Sequence, residues 1–69
     1  MKNVFENESY DVLKTVYNDI LTAREEALRP HSLDKYIEQV MEAYPLSLGD
    51  AWRYTENMFW EEIGRRYFL

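Results

Sequence analysis

Apolar residues recur along this chain every three or four positions, and two prolines break the pattern into three stretches. From Ser9 to Leu28 the apolar positions are Leu13, Val16, Tyr17, Ile20, Leu21, Ala27 and Leu28. Such spacing keeps them on one side of an α-helix. It predicts a helix over about 9–28, with Asn7 or Ser9 as N-cap. Asp11 falls in the first turn, where the helix dipole favours an anion. Arg29 precedes Pro30, and the residue before a proline avoids the α region, so the helix stops there. A second stripe, Leu33, Tyr36, Ile37, Val40, Met41 and Tyr44, predicts a helix over 33–44. Ser32 is its expected N-cap, His31 can pack on Tyr36 as a staple, and Pro45 closes it. The third helix starts at Ser47, with Asp50 three residues on in an S-x-x-D variant of the capping box. It covers 48–63 or beyond, and either stops at Gly64 or runs through it.

No run alternates with period two for more than a few residues. The expected fold is therefore all-α: a small three-helix bundle in a single domain over 1–69. Residues 1–8 (MKNVFENE) form a lead-in whose Val4 and Phe5 can pack back onto the helices. The stripes nominate a core of Leu13, Val16, Ile20, Leu21, Ile37, Val40, Met41, Trp52, Phe59 and Ile63. On a helical wheel Leu48, Trp52, Phe59, Ile63 and Tyr67 share the inner face of the third helix, with Trp60 on its flank. Tyr54, Met58 and Phe68 point the other way.

Length sharpens the picture. A chain of about 60 residues buries only about 60% of the surface its unfolded form exposes, and this one has 69 residues. It has no cysteine, which removes disulfides and thiolate metal sites together. Close helix packing or association must then supply the stability. The last 23 residues, SLGDAWRYTENMFWEEIGRRYFL, hold both tryptophans and two of the three phenylalanines. The six tyrosines exceed what so small a bundle encloses. Tyrosine, tryptophan and methionine are enriched in interface cores, and contiguous exposed apolar patches mark partner sites. Tyr54, Met58, Trp60 and Phe68 are accordingly expected to face another chain, either a protein partner or a second copy.

Net charge is −5. Arg65 and Arg66 sit at the end, where cations suit a helix C-terminus. The first 64 residues carry six bases against thirteen acids, a balance of −7. That body repels a nucleic-acid backbone, so direct DNA or RNA binding is not expected. The second and third helices have the outline of a helix-turn-helix, but Asp50, Glu56, Glu61 and Glu62 give its would-be reading helix the wrong sign. Asp34, Glu38 and Glu42 form a column at i, i+4 and i+8. With Asp11, Asp19, Glu25 and Glu26 they make a negative surface that either keeps the protein soluble or competes with nucleic acid for a basic partner. No signal-peptide core or 18-residue apolar run is present, so no membrane association and a cytoplasmic location are expected.

Candidate chemistry changes little. His31 has no nucleophile or carboxylate at motif spacing. The pairs Glu25–Glu26 and Glu61–Glu62 point about 100° apart on a helix and read as solvated faces rather than acid/base pairs. There is no Glu-x-x-His motif for a carboxylate-bridged metal, no glycine-rich phosphate loop and no EF-hand. No catalytic residue, cofactor or metal is expected, and the chain is not read as an enzyme. The eleven residues PLSLGDAWRYT resemble a segment of small phage tail-assembly chaperones, in which an L-S/T start is followed by an aromatic and a threonine. The resemblance implies an assembly adaptor that self-associates. The residues themselves favour a small acidic interaction module, of phage or mobile-element type, that inhibits or regulates another macromolecule.

Overall fold

A computed structural model describes residues 2–68. Helix α1 spans Tyr10–Glu25, a 3₁₀ turn spans His31–Leu33, α2 spans Asp34–Ala43 and α3 spans Leu48–Tyr67. The described residues contain no strand, and the fold is the expected all-α three-helix bundle. Helices α1 and α3 run antiparallel, since Tyr10 meets Tyr67, Tyr17 meets Trp60 and Arg24 meets Glu56.

The caps explain where the helices begin and end. The Ser9 hydroxyl accepts from the Val12 N–H at 3.3 Å, and the Ser47 hydroxyl accepts from the Asp50 N–H at 3.3 Å. Helix α1 ends at Glu25, three residues short of the expected Leu28. Ala27 adopts φ 56°, the Leu28 N–H reaches the Ala23 carbonyl at 2.8 Å, and the Ala27 N–H reaches Arg24 at 3.3 Å. This is a Schellman closure built on alanine where glycine is usual. Ser32 does not cap α2. The chain enters that helix through the 3₁₀ turn, and Asp19 of α1 accepts the Ser32 N–H at 2.9 Å. His31 is not a staple on Tyr36 either, for its ring lies 3.5 Å from the Asp34 carboxylate.

The core forms where the three helices and the lead-in meet. Leu13, Val16 and Ile20 supply it from α1, Leu33 from the 3₁₀ turn, Tyr36, Ile37 and Val40 from α2, and Phe59 from α3. Two residues expected in it lie outside. Leu21 is 40% exposed and Met41 is 41% exposed. Each sits one step beyond a residue that already fills the inward position, Ile20 and Val40 respectively, because each helix is covered along one narrow stripe. Trp52 and Ile63 are half-buried at the rim.

The buried face of α3 is Ala51, Thr55, Met58, Phe59 and Glu62, about a quarter turn from the face its bulkiest residues suggest. Met58, expected on the outside, is 7% exposed. The cause is the lead-in, which covers that side. Phe5 is fully buried, with its ring 4.4 Å from Tyr36 and 5.4 Å edge-on to Phe59. The Asn3 amide donates to the Met58 carbonyl at 2.7 Å, and its oxygen accepts the Phe5 N–H at 2.9 Å. The Thr55 hydroxyl, buried on the same face, donates to the Ala51 carbonyl at 2.7 Å.

Three substitutions test these assignments by chemical denaturation. Phe5→Ala removes a fully buried ring and is expected to cost about 3–5 kcal/mol, enough to unfold a domain of ordinary marginal stability. Ala27→Gly relieves the left-handed strain of a Cβ, and a gain of up to about 1 kcal/mol is expected once glycine's backbone entropy is subtracted. Gly64 lies inside α3, and a Cβ there would meet no heavy atom within 4 Å. Gly64→Ala should therefore stabilise by about 0.5–1 kcal/mol.

Candidate interaction surface

The last turns of α3 are organised around Glu62, which is only 2% exposed. The inward direction of position 62 follows from the i, i+3/i+4 stripe Ala51–Thr55–Met58–Glu62. A buried carboxylate needs compensating charge, and two arginines provide it. Arg65 Nε donates to Glu62 at 3.1 Å, and Arg65 Nη2 and Arg66 Nε also bind the carboxylate. Arg66 then donates through Nη2 to the carbonyls of Phe5 and Glu6, at 3.1 and 3.0 Å. The Arg65 hydrogen bond, helped by Arg66 and opposed by burial, holds the Glu62 carboxyl below the usual glutamate range. The solvated face expected for Glu61–Glu62 is thus realised by Glu61 alone. Arg65 and Arg66 join the helix end to the lead-in, a role beyond answering the helix dipole.

A second construction runs along the α1/α3 seam. Tyr10, Tyr17 and Arg24 are seven residues apart and so share one side of α1. Their partners are Tyr67, Trp60 and Glu56. Tyr10 and Tyr67 meet edge-on at 6.1 Å, Tyr17 and Trp60 edge-on at 5.8 Å, and Arg24 Nη2 bonds Glu56 at 2.6 Å. The Arg24 guanidinium also lies 5.7 Å from the centroid of Trp60, whose ring meets Phe59 at 5.1 Å and whose indole N–H donates to Glu56 at 3.4 Å. A shallow groove of about 130 Å³ opens on this seam, lined by Tyr10, Leu13, Lys14, Tyr17, Ile63 and Tyr67.

Trp60 is half-buried within the seam, and Met58 is in the core. Tyr54 is exposed, and its ring meets that of Tyr44 at 5.6 Å in a tilted arrangement. Phe68, just past α3, is 80% exposed. Tyr54 and Phe68 are therefore not joined to Met58 and Trp60 in one patch. Instead, the seam gathers exposed Tyr10, Tyr17 and Tyr67; of these the sequence pattern leaves Tyr10 at a stripe edge but expects Tyr17 in the apolar stripe of the first helix and Tyr67 on the inner face of the third. Asp34 is engaged by Arg29 at 3.2 Å, while Glu38 and Glu42 are exposed on the outer side of α2. Asp19, counted with the acidic surface, serves as the cap described above. That backbone hydrogen bond from Ser32 is the main cause holding its carboxyl below the usual range.

Among the described residues no group of three or more His, Cys, Asp or Glu side chains is placed to hold a metal ion. No described helix is long and apolar enough to cross a membrane. The chain matches no family model, no curated protein and no solved structure.

The arginine clamp carries a pH signature. A carboxyl whose folded pKa is lowered contributes stability that is present above its unfolded value, about 4.3, and is lost as pH falls through the lower folded value. The thermal midpoint should accordingly fall as pH is taken from about 5 downward. Glu62→Gln should lower stability at pH 7 by about 1–3 kcal/mol and flatten that acid limb. An acid limb of unchanged slope in Glu62→Gln would assign the pH dependence elsewhere.

Proposed function

We propose that the protein is a non-catalytic interaction module that binds another protein through the aromatic seam of α1 and α3. The observation that supports this most is the run of partly exposed rings from Tyr17 to Tyr10 and Tyr67, continued by the outward Phe68. Rings held edge-on by a neighbouring ring lose little freedom on binding, so they serve well as anchors. Glu38 and Glu42, on a different helix, bias the module towards a basic partner and speed encounter without needing to be buried.

In this reading the module inhibits or regulates its partner by occupying a surface, and no step of bond making is assigned to it. A second reading has one specific observation behind it. Phe68 projects at the same end of the molecule as the groove lined by Tyr10, Ile63 and Tyr67, so two copies can exchange that ring knob-into-groove. Self-association of this kind suits an assembly adaptor.

One set of measurements separates the two. For a hetero-partner, the protein sediments as a monomer across micromolar concentrations. Tyr10→Ala and Tyr67→Ala leave the fold intact by circular dichroism and weaken capture of the partner at least tenfold. Glu38→Lys with Glu42→Lys slows association, and added salt does the same to the parent. A concentration-dependent mass that Phe68→Ala abolishes favours the self-associating reading. Unaltered partner capture in the Tyr10 and Tyr67 variants would sink the seam as the docking surface.

A further inference from the structure

The seam differs in charge from the molecule as a whole. Arg53, Trp60 and Tyr67 are seven residues apart and share one side of α3, as Tyr10, Tyr17 and Arg24 share one side of α1. The two antiparallel rows therefore end together, in Arg24 and Arg53. Lys14 lines the groove beside Tyr17. Against these three cations stands one carboxylate, Glu56, which Arg24 already bonds. Glu25 and Glu61, the chain neighbours of Arg24 and Trp60, point about 100° away from them. Lys14 and Arg53 are exposed and form no ion pair among the described residues. The seam is thus an aromatic, net positive strip on a chain of net charge −5.

The complement of such a strip is an apolar knob flanked by carboxylates, and the same chain carries one. On α2, Met41 is 41% exposed, with exposed Glu38 three residues before it and exposed Glu42 directly after. Positions three and four apart are neighbours on a helix surface, so Glu38 lies beside both Met41 and Glu42. Neither carboxylate forms an ion pair among the described residues. Methionine packs adaptably, and its sulfur is attracted to aromatic rings. This ridge lies on a helix that takes no part in the seam, so one molecule can offer its ridge while its own seam is filled. Such a contact is heterologous and joins copies head to tail. Pairing seam with seam would instead set cations against cations.

We propose that the aromatic seam accepts the α2 ridge of a second copy. Met41 rests on the rings of Tyr17 and Trp60, while Glu38 and Glu42 reach Lys14 and Arg53. The contact depends on one apolar side chain and two solvent-exposed charge pairs, so its Kd is on the order of 1 mM. The protein is then monomeric at micromolar concentration and links into chains only where copies are crowded. A tighter partner of the seam displaces the ridge. This inference rests on the seam being a docking surface, but its test involves no other protein, so the two readings can fail separately. It also needs no part of Phe68.

The test is a dilution series of the ¹⁵N-labelled protein from about 2 mM to about 0.05 mM, a range that brackets that Kd. Concentration-dependent amide shifts are expected on two separate surfaces at once, at Lys14, Tyr17 and Trp60 and at Glu38, Met41 and Glu42. Glu38→Lys with Glu42→Lys, and separately Lys14→Glu with Arg53→Glu, should keep the helical spectrum and weaken self-association at least tenfold. An equimolar mixture of the two variants should recover the shifts, because the native seam of one meets the native ridge of the other. Phe68→Ala should leave the series unchanged. The proposal is overturned by an absence of shifts at the highest concentration, by shifts on one surface alone, or by a mixture that stays silent. Shifts that survive both charge reversals, or that vanish in Phe68→Ala, overturn it equally.

Discussion

The structure depends on Phe5, a residue of the lead-in, being fixed between α2 and α3. A bundle of three helices this short has too little interior to close by itself, and burial of one more aromatic ring is a large fraction of its core. The ring alone would not hold an irregular segment whose backbone polar groups also need partners. Arg66 satisfies the carbonyls of Phe5 and Glu6, Asn3 satisfies the Met58 carbonyl, and Glu62 holds Arg66 in place. The buried carboxylate is therefore a consequence of the plug. It orients the guanidinium that ties one end of the described chain to the other.

Once that side of α3 is covered by the lead-in, the helix must turn its other flank to α1. Trp60 and Tyr67 then fall on the seam, where Tyr10, Tyr17 and Arg24 meet them at heptad spacing. Much of the aromatic density of the last third is explained by these two contacts. Phe59 and Met58 belong to the plug, Trp60 and Tyr67 to the seam. What is left outward is the rim of the seam, Tyr54 and Phe68, and the functional reading rests on the seam rim and Phe68 rather than on the full aromatic count.

The helices and two of their caps were legible because period and capping chemistry are local. Ser9 and Ser47 cap as their positions suggest, and both prolines lie in the connections. Three features were not legible. Asp19 displaces Ser32 as the cap of the 3₁₀ entry through a contact thirteen residues away, which no local pattern encodes. The inner face of α3 does not follow residue bulk: small Ala51 and Thr55 permit close approach, and Glu62 becomes an interior residue only through its arginines. Val4 and Phe5 are apolar and able to pack back, yet nothing in the sequence ranks Phe5 above Leu21 or Met41 as core. Of the expected docking residues, Tyr54, Phe68, Glu38 and Glu42 remain outward. Met58 does not, because the lead-in lies over it.

The exposed rings of the seam sit on an antiparallel helix pair. All of it presupposes that the lead-in is part of the cooperative fold. Native-state hydrogen exchange tests this directly, through the amides of Glu6 and Glu8, which donate to Asn3 and Phe5 at 3.1 Å each. The account predicts that both exchange only with global unfolding, at the same free energy as the Phe59 and Glu62 amides of α3. Exchange of Glu6 and Glu8 at the rate of an unstructured peptide, with α3 still protected, would contradict it.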